Sequence, residues 1–101
     1  MKIAVATSQE DINSPVSPKF GRAKYFLIFD GDGHLLEVIS NAPPGDARGV
    51  GHRAAQTLVD LGVTHVIAGH IGFEAAADLS QAGIEVFEHK GRAIDAVHEV
   101  R

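Results

Sequence analysis

Residues 65–100, HVIAGHIGFEAAADLSQAGIEVFEHKGRAIDAVHEV, decide the fold because strand-like and helix-like patterns alternate along them. His65–Ala68 and Ile84–Phe87 are short apolar runs, which is typical of buried strands. Phe73–Ala82 is rich in alanine and Arg92–Val100 has apolar residues at helical spacing. The residues of this last helix that we expect to face inward are Ile94, Val97 and Val100. Alternating strands and helices predict parallel strands with helices packed on the sheet.

The chain before this stretch predicts a buried strand, a long loop and a hairpin. Ile3–Thr7 is a short apolar run, and residues 8–23 carry so many turn-forming residues, two prolines among them, that they form one long ordered loop. Lys24–Asp30 and His34–Ser40 are strand-like runs joined by Gly31-Asp32-Gly33, which predicts a hairpin.

A helix connects the hairpin to the alternating stretch. Residues 41–49 form a second loop, and apolar residues then recur at helical spacing over 50–61 until Gly62 ends the helix. The order of three strands followed by helix, strand, helix, strand and helix predicts an α/β fold. We expect a three-layer sandwich with a mixed sheet, in a single domain over residues 1–101.

Composition excludes several classes of function. The 101 residues carry a formal net charge of -4, which repels nucleic acid and anionic membranes on average. Cysteine is absent, so histidine or carboxylate side chains must hold any bound metal. The apolar start, Met1–Ala6, is too short for a signal peptide or a membrane helix. We expect a cytoplasmic protein with no nucleic-acid partner and no membrane partner.

Strand directions bring four loops to one edge of the predicted sheet. The hairpin makes strand 2 antiparallel to strand 1, and right-handed crossovers make strands 4 and 5 parallel to strand 1. The loops over 8–23, 41–51, 69–72 and 88–91 should therefore surround one crevice. Ligands of open α/β sheets bind at such an edge.

Cationic and imidazole side chains fall in these loops. They are Arg22, Arg48, His52, His70, His89 and Lys90, whereas His34 and His65 fall at the opposite edge and His98 lies on the last helix. His70 is the best candidate for a metal ligand, and His52 is the second. Each histidine could instead be a solvent-exposed surface residue. Arg22 could instead form an ion pair with Asp11 or Asp46.

Glycines at the predicted starts of two helices indicate an anion site. They are Gly45, Gly49 and Gly51 before the first helix and Gly69 and Gly72 before the second. The first N–H groups of a helix have no internal partner, and glycine lets a ligand approach the backbone. The same glycines could serve only as turn residues. The predicted cofactor-binding set is Arg22, Gly49, Gly51, His52, Gly69, His70 and Gly72, with His70 and His52 as the metal ligands.

The sequence offers no catalytic constellation. Strand 1 carries only Ile3-Ala-Val-Ala-Thr7 and lacks the carboxylates that hold two metal ions in nucleases of the ribonuclease-H type. No Ser-His-Asp grouping has local support. We therefore expect a protein that is not an enzyme.

The chain resembles the dinitrogenase iron-molybdenum cofactor biosynthesis family, which includes NifX-type nitrogenase accessory carriers and the C-terminal domain of NifB-type proteins. The segments that carry the resemblance are Met1–Ala6, Ser14–Ala23, Tyr25–Ile28, Gly49–Gln56, Val66–Gly72 and Ala82–Val86. It implies a ribonuclease-H-like three-layer fold, with a five-stranded mixed sheet of order 32145 and strand 2 antiparallel. It also implies binding of the iron-molybdenum cofactor or its iron-sulfur precursor, with Arg22, His52 and His70 as binding residues.

Three hypotheses about function follow. The first is a carrier that receives the iron-molybdenum cofactor or an iron-sulfur cluster from a donor protein and delivers it to an acceptor protein. The second is a binding module for a phosphorylated small molecule or nucleotide in the same crevice. The third is a regulatory domain that docks on a larger maturation enzyme through strand 3. The apolar strand 3 also allows a monomer or a weak homodimer.

Overall fold

The computed structural model describes residues 1–41, 43 and 48–101, which form a five-stranded sheet and three helices. The strands are β1 (Lys2–Thr7), β2 (Tyr25–Asp30), β3 (Leu35–Ser40), β4 (His65–Ala68) and β5 (Glu85–Glu88). The helices are α1 (Val50–Asp60), α2 (Phe73–Gln81) and α3 (Ala93–Val100). The predicted α/β class and order of elements are confirmed. In the part of the chain that the structure describes, no helix combines the length and apolarity needed to cross a membrane.

The sheet is mixed, with the order β3-β2-β1-β4-β5. Strand β2 is antiparallel to both β1 and β3, whereas β1 is parallel to β4 and β4 is parallel to β5. The order 32145 and the antiparallel strand 2 are therefore confirmed. The carboxyl ends of β1, β3, β4 and β5 lie at one edge of the sheet, which we call the carboxyl edge.

Both faces of the sheet are covered, so the central strands are apolar at nearly every position. Helices α1 and α2 pack on one face, where Leu58 and Leu79 join a buried cluster that includes Phe26 of β2. Helix α3 packs on the other face, where Val97 contacts a cluster that includes Phe29 of β2. Full burial of one such side chain contributes about 2 kcal/mol. This double cover explains why β1 contains no polar residue between Ile3 and Ala6.

The predicted ends of the elements are accurate to within one residue. Gly62 and Gly83 follow α1 and α2 with φ angles of 74° and 78°, which confirms them as helix stops. Strand β5 begins one residue later than predicted, at Glu85. The reason is that the N–H of Ile84 donates to the carbonyl oxygen of Leu79 at 3.0 Å and so closes α2.

Helix α3 approaches the sheet through small residues. Val97 is fully buried as predicted, but the other predicted inward residues, Ile94 and Val100, are only partly buried. The fully buried positions beside Val97 are Ala93 and Ala96. Alanine at these positions lets the helix lie close to the sheet, which leaves the larger side chains at the margin of the contact.

The predicted long loop is ordered by backbone hydrogen bonds to the carboxyl edge. We call its residues 15–20 the strap, because they cross the ends of β1 and β4. The N–H of Ser17 donates to Ala6 O at 2.7 Å, and the N–H of Gly69 donates to Ser17 O at 2.8 Å. The N–H of Phe20 donates to His70 O at 2.9 Å. The strap is thus fixed against the end of β1 and against Gly69 and His70, which follow β4.

Strand β3 forms an exposed edge of the sheet. Leu35, Leu36 and Val38 expose 39%, 55% and 38% of their surfaces, although they are apolar. An edge strand of this kind is a template for pairing with another chain. The pairing of β3 with a second copy stays a prediction, which size-exclusion chromatography would test.

Replacing Gly69 by alanine should destabilise the protein. A Cβ atom at this position would lie 2.7 Å from Pro18 Cα and 2.9 Å from Ser17 O, and both of these are backbone atoms that cannot rotate away. We expect Gly69→Ala to lower the free energy of unfolding by about 1–3 kcal/mol, measured by urea denaturation.

Gly72→Ala is the matched control, since a Cβ atom there meets no other atom within 4 Å. Its cost should stay below about 1 kcal/mol, the order expected for alanine at a helix N-cap. Equal stability of the two variants would contradict the close approach of the strap to β4.

Candidate functional site

The described residues form two cavities at the carboxyl edge, one on each side of the strap. The first cavity, of about 580 Å³, lies between the N-termini of α1 and α2. The second cavity, of about 620 Å³, lies between the strap and residues 89–92. His70 lines both cavities. The prediction of a single crevice is therefore wrong. The strap, which backbone hydrogen bonds hold against the end of β4, occupies the centre of the edge.

Most of the predicted site residues come together in the first cavity. Six of the seven line it, namely Arg22, Gly49, Gly51, His52, His70 and Gly72. The seventh, Gly69, lines the second cavity instead. Its missing side chain makes room for the strap, so the expectation that Gly69 makes room for a ligand is not supported. The predicted residues Gly45 and Asp46 lie outside the described residues.

His52 reaches the first cavity from the first turn of α1. Its Nδ1 atom lies 2.7 Å from Asp78 Oδ2 of α2. A carboxylate only accepts hydrogen bonds, so Nδ1 carries the proton and donates it. Among the described residues, Nε2 has no hydrogen-bond partner, and 64% of the side chain is exposed. The contact with Asp78 therefore orients the ring and leaves Nε2 available on an accessible side chain.

His70 is held in the same way at the end of β4. Its Nδ1 atom lies 3.1 Å from Glu88 Oε2, which also accepts the N–H of Ile71 at 3.2 Å. Within the described parts of the chain, Nε2 of His70 is without a hydrogen-bond partner. A carboxylate behind Nδ1 that orients Nε2 is the usual arrangement around metal-binding histidines. Sequence reasoning missed Asp78 and Glu88, since neither lies near its histidine in the chain.

Two helix N-termini supply hydrogen-bond donors to the first cavity. Helical bonding begins with Arg53 N–H to Gly49 O at 3.1 Å in α1 and with Ala76 N–H to Gly72 O at 2.9 Å in α2. Residues 50–52 and 73–75 precede these bonds, and their N–H groups have no acceptor in the described chain. Such groups, together with the helix dipole, favour an anion. Glu74, in the first turn of α2, opposes this effect.

Sequence reasoning missed two further residues of the first cavity. Gly21 packs against the start of α1, where a Cβ atom would lie 2.7 Å from Gly51 N. Phe73 lines the cavity and is 88% exposed, although it is a large aromatic residue. The sequence marks Phe73 only as the first residue of a helix and contains no signal for its exposure.

The second cavity contains His89, which was expected in the same crevice as His52 and His70. His89 Nε2 is hydrogen-bonded to Glu99 at 2.5 Å, and Nδ1 is buried with no hydrogen-bond partner among the described residues. One ring nitrogen is thus engaged by a carboxylate and the other is buried. This arrangement leaves His52 and His70 as the two accessible imidazoles at the carboxyl edge.

Arg92 also lines the second cavity, where an ion pair balances its charge. Its Nε atom donates to Asp95 Oδ2 at 2.9 Å. The hydrogen bond from Arg92 holds the pKa of the Asp95 carboxyl below its usual value, and the same contact raises the pKa of Arg92. Both side chains of the pair therefore stay charged over the physiological pH range.

The described residues form one group of three potential metal ligands in mutual contact, and it lies away from the first cavity. It consists of Asp30, Asp32 and His34 in the hairpin turn, at the opposite edge of the sheet. Asp30 Oδ1 accepts the N–H groups of Asp32 and His34 at 2.9 Å each, which accounts for these residues as turn structure. Among the described residues, no such group of three potential ligands lies in the first cavity.

Comparisons with known proteins match the whole chain. The apo form of the orange protein from Desulfovibrio gigas is 31% identical with a TM-score of 0.88, over 97% of this chain and 84% of that one. A Thermotoga protein described as a candidate NifB protein is 36% identical with a TM-score of 0.79, over 99% of this chain and 89% of that one. An uncharacterized protein of Methanocaldococcus jannaschii is 33% identical over 98 residues, which make up 94% of this chain and 80% of that protein.

The family model described as dinitrogenase iron-molybdenum cofactor matches residues 1–101. This match covers every strand and helix of the fold and both sides of the first cavity. The resemblance noted from the sequence motifs is thereby confirmed: the chain belongs to the dinitrogenase iron-molybdenum cofactor family.

Proposed function

We propose that this protein is a cytoplasmic, non-enzymatic carrier that holds an anionic metal cluster in the first cavity and passes it from a donor protein to an acceptor protein. The proposed cargo is the iron-molybdenum cofactor, its precursor or another anionic iron-sulfur cluster. Membership of the family supports a role in cluster binding or carriage. The observation that carries the proposal is that His52 and His70 share one cavity with two helix N-termini.

The two imidazoles provide the metal ligands of the proposed site. Both expose Nε2, and both are oriented by a carboxylate at Nδ1. Imidazole is a neutral ligand that suits iron, and it binds a cluster less permanently than cysteine thiolates do. Reversible binding is what a carrier needs, since the cargo must leave again.

The charge of the cargo is balanced by groups that do not ligate metal. The first three residues of α1 and of α2, at the positive ends of the helix dipoles, line the first cavity. Lys19 and Arg22 also line it. In this protein of net charge -4, these groups make the first cavity a local site for an anion.

We also propose that the fold is of the ribonuclease-H-like class, without the nuclease chemistry of that class. The five-stranded order and the helices on both faces support the class. Residues Ile3–Ala6 of β1 are apolar and fully buried, so this strand offers no carboxylate to a catalytic metal. The lack of such a carboxylate on β1 is consistent with a carrier role.

A second candidate function is the binding of a phosphorylated small molecule or nucleotide in the first cavity. The open N–H groups of α1 and α2 are suited to phosphate, and the exposed ring of Phe73 is suited to stacking on a base. Thermal-shift measurements with nucleotides and with reconstituted clusters would separate the candidates. A rise in melting temperature with nucleotides but not with clusters would favour the second candidate function.

Replacing His70 should weaken cluster binding. We expect His70→Ala to bind a cluster reconstituted anaerobically from iron and sulfide about 100-fold more weakly than the wild-type protein, because loss of a metal ligand costs at least as much as loss of the carboxylate that orients it. Absorption spectra and the bound iron content measure this. His98→Ala is the control, since His98 lies on α3 outside both cavities. An unchanged spectrum for His70→Ala would remove His70 from the site, and a wild-type protein that takes up no cluster would overturn the carrier proposal.

Replacing Glu88 should weaken cluster binding without removing a ligand. We expect Glu88→Gln to reduce cluster affinity about 10- to 100-fold, since the carboxylate that orients His70 and makes it more basic is lost. Glu99→Gln is the matched control, because Glu99 supports His89 in the second cavity. Equal cluster affinity in the two variants, measured by titration in absorbance, would show that Glu88 does not position His70.

A further inference from the structure

The second cavity has the form of a ligand site that the carrier role does not use. Its volume of about 620 Å³ is within the range of small-molecule sites, roughly 300–1,000 Å³. One wall is apolar and consists of Pro15, Val16 and Pro18 of the strap. The polar wall is formed by His70 and residues 89–92. A cavity with one apolar and one polar wall fits a ligand with an apolar body and a polar head.

The polar wall favours a negatively charged head group. None of the described residues that line the second cavity is acidic, whereas Lys90 and Arg92 both carry positive charge. Arg92 is neutralised by Asp95 and also donates to Asn13 Oδ1 at 3.2 Å. No described carboxylate lies within ion-pair distance of Lys90, so its charge remains unbalanced. The cavity therefore offers one cationic side chain that has no ion-pair partner among the described residues.

The backbone beside Lys90 adds further donors. The N–H groups of Lys90, Gly91 and Arg92 donate to no acceptor in the described part of the chain. Gly91 has a φ angle of 100°, a backbone conformation that favours glycine, and it lies in the middle of these three consecutive residues. Val16 N–H donates to Gly91 O at 2.8 Å, which joins this segment to the apolar wall. The cationic side chain, the free donors and the apolar wall thus belong to one rigid unit.

We propose that the second cavity binds a small organic monocarboxylate, at a site distinct from the proposed cluster site although His70 lines both cavities. The carboxylate contacts the Lys90 ammonium and the N–H groups of residues 90–92, and the apolar body of the ligand rests on Pro15, Val16 and Pro18. A single carboxylate matches the single unbalanced charge of Lys90. A phosphate would bring a second negative charge with no partner and no group to contact the apolar wall.

Titration of the ¹⁵N-labelled protein with sodium acetate, butyrate and phosphate, followed by amide chemical shifts, tests this proposal without any cluster. Butyrate should give saturable shifts at the amides of Val16, Ser17 and residues 89–92, with the His52 amide unaffected. Butyrate should bind about tenfold more tightly than acetate, because two additional methylene groups are partly buried. Lys90→Gln should bind butyrate about tenfold more weakly, since a charge-assisted hydrogen bond is lost.

Lys19→Gln is the matched control, because it removes the same charge from the first cavity and should leave butyrate binding unchanged. If Lys90→Gln and Lys19→Gln weaken butyrate binding equally, the effect is one of overall charge and the proposal is overturned. Shifts that do not saturate would also overturn it. Phosphate that binds at residues 89–92 as tightly as butyrate would overturn the assignment to carboxylates.

Discussion

The close contact between the strap and the end of β4 is the constraint on which the carboxyl edge depends. The strap bonds to Ala6, Gly69 and His70 through backbone groups, and the contact is so tight that only glycine fits at position 69. Backbone hydrogen bonds of this kind leave no freedom for a side chain between the two segments. The strap therefore divides the carboxyl edge into two cavities, and these cavities are lined by different sets of residues.

The first cavity shows how distant elements cooperate in placing two imidazoles. His52 belongs to α1, but its orientation is set by Asp78 of α2; His70 follows β4, but its orientation is set by Glu88 of β5. The packing of α1 on α2 and the pairing of β4 with β5 therefore determine where the two Nε2 atoms point. The apolar clusters under the helices thus fix the geometry of the polar site above them.

Charge is distributed unevenly in this acidic protein. The donors of two helix N-termini face the first cavity, while Lys90 and three N–H groups face the second. Several carboxylates near these cavities contact a basic side chain. Asp78, Glu88 and Glu99 each contact a histidine, and Asp95 forms an ion pair with Arg92. A negative net charge is therefore compatible with two sites for anions.

The sequence alone determined the strands, the helices, their order and the edge at which the loops meet, because burial imposes local periodicity and Gly62 and Gly83 impose local stops. It also determined that Arg22, His52 and His70 lie at that edge. Only the tertiary structure decided that the edge holds two cavities, that Gly69 serves the strap, that His89 lies apart, and that Asp78 and Glu88 hold the rings. These features depend on contacts between segments far apart in the chain, whose distances are set by packing and hydrogen bonds that leave no periodic trace in the sequence.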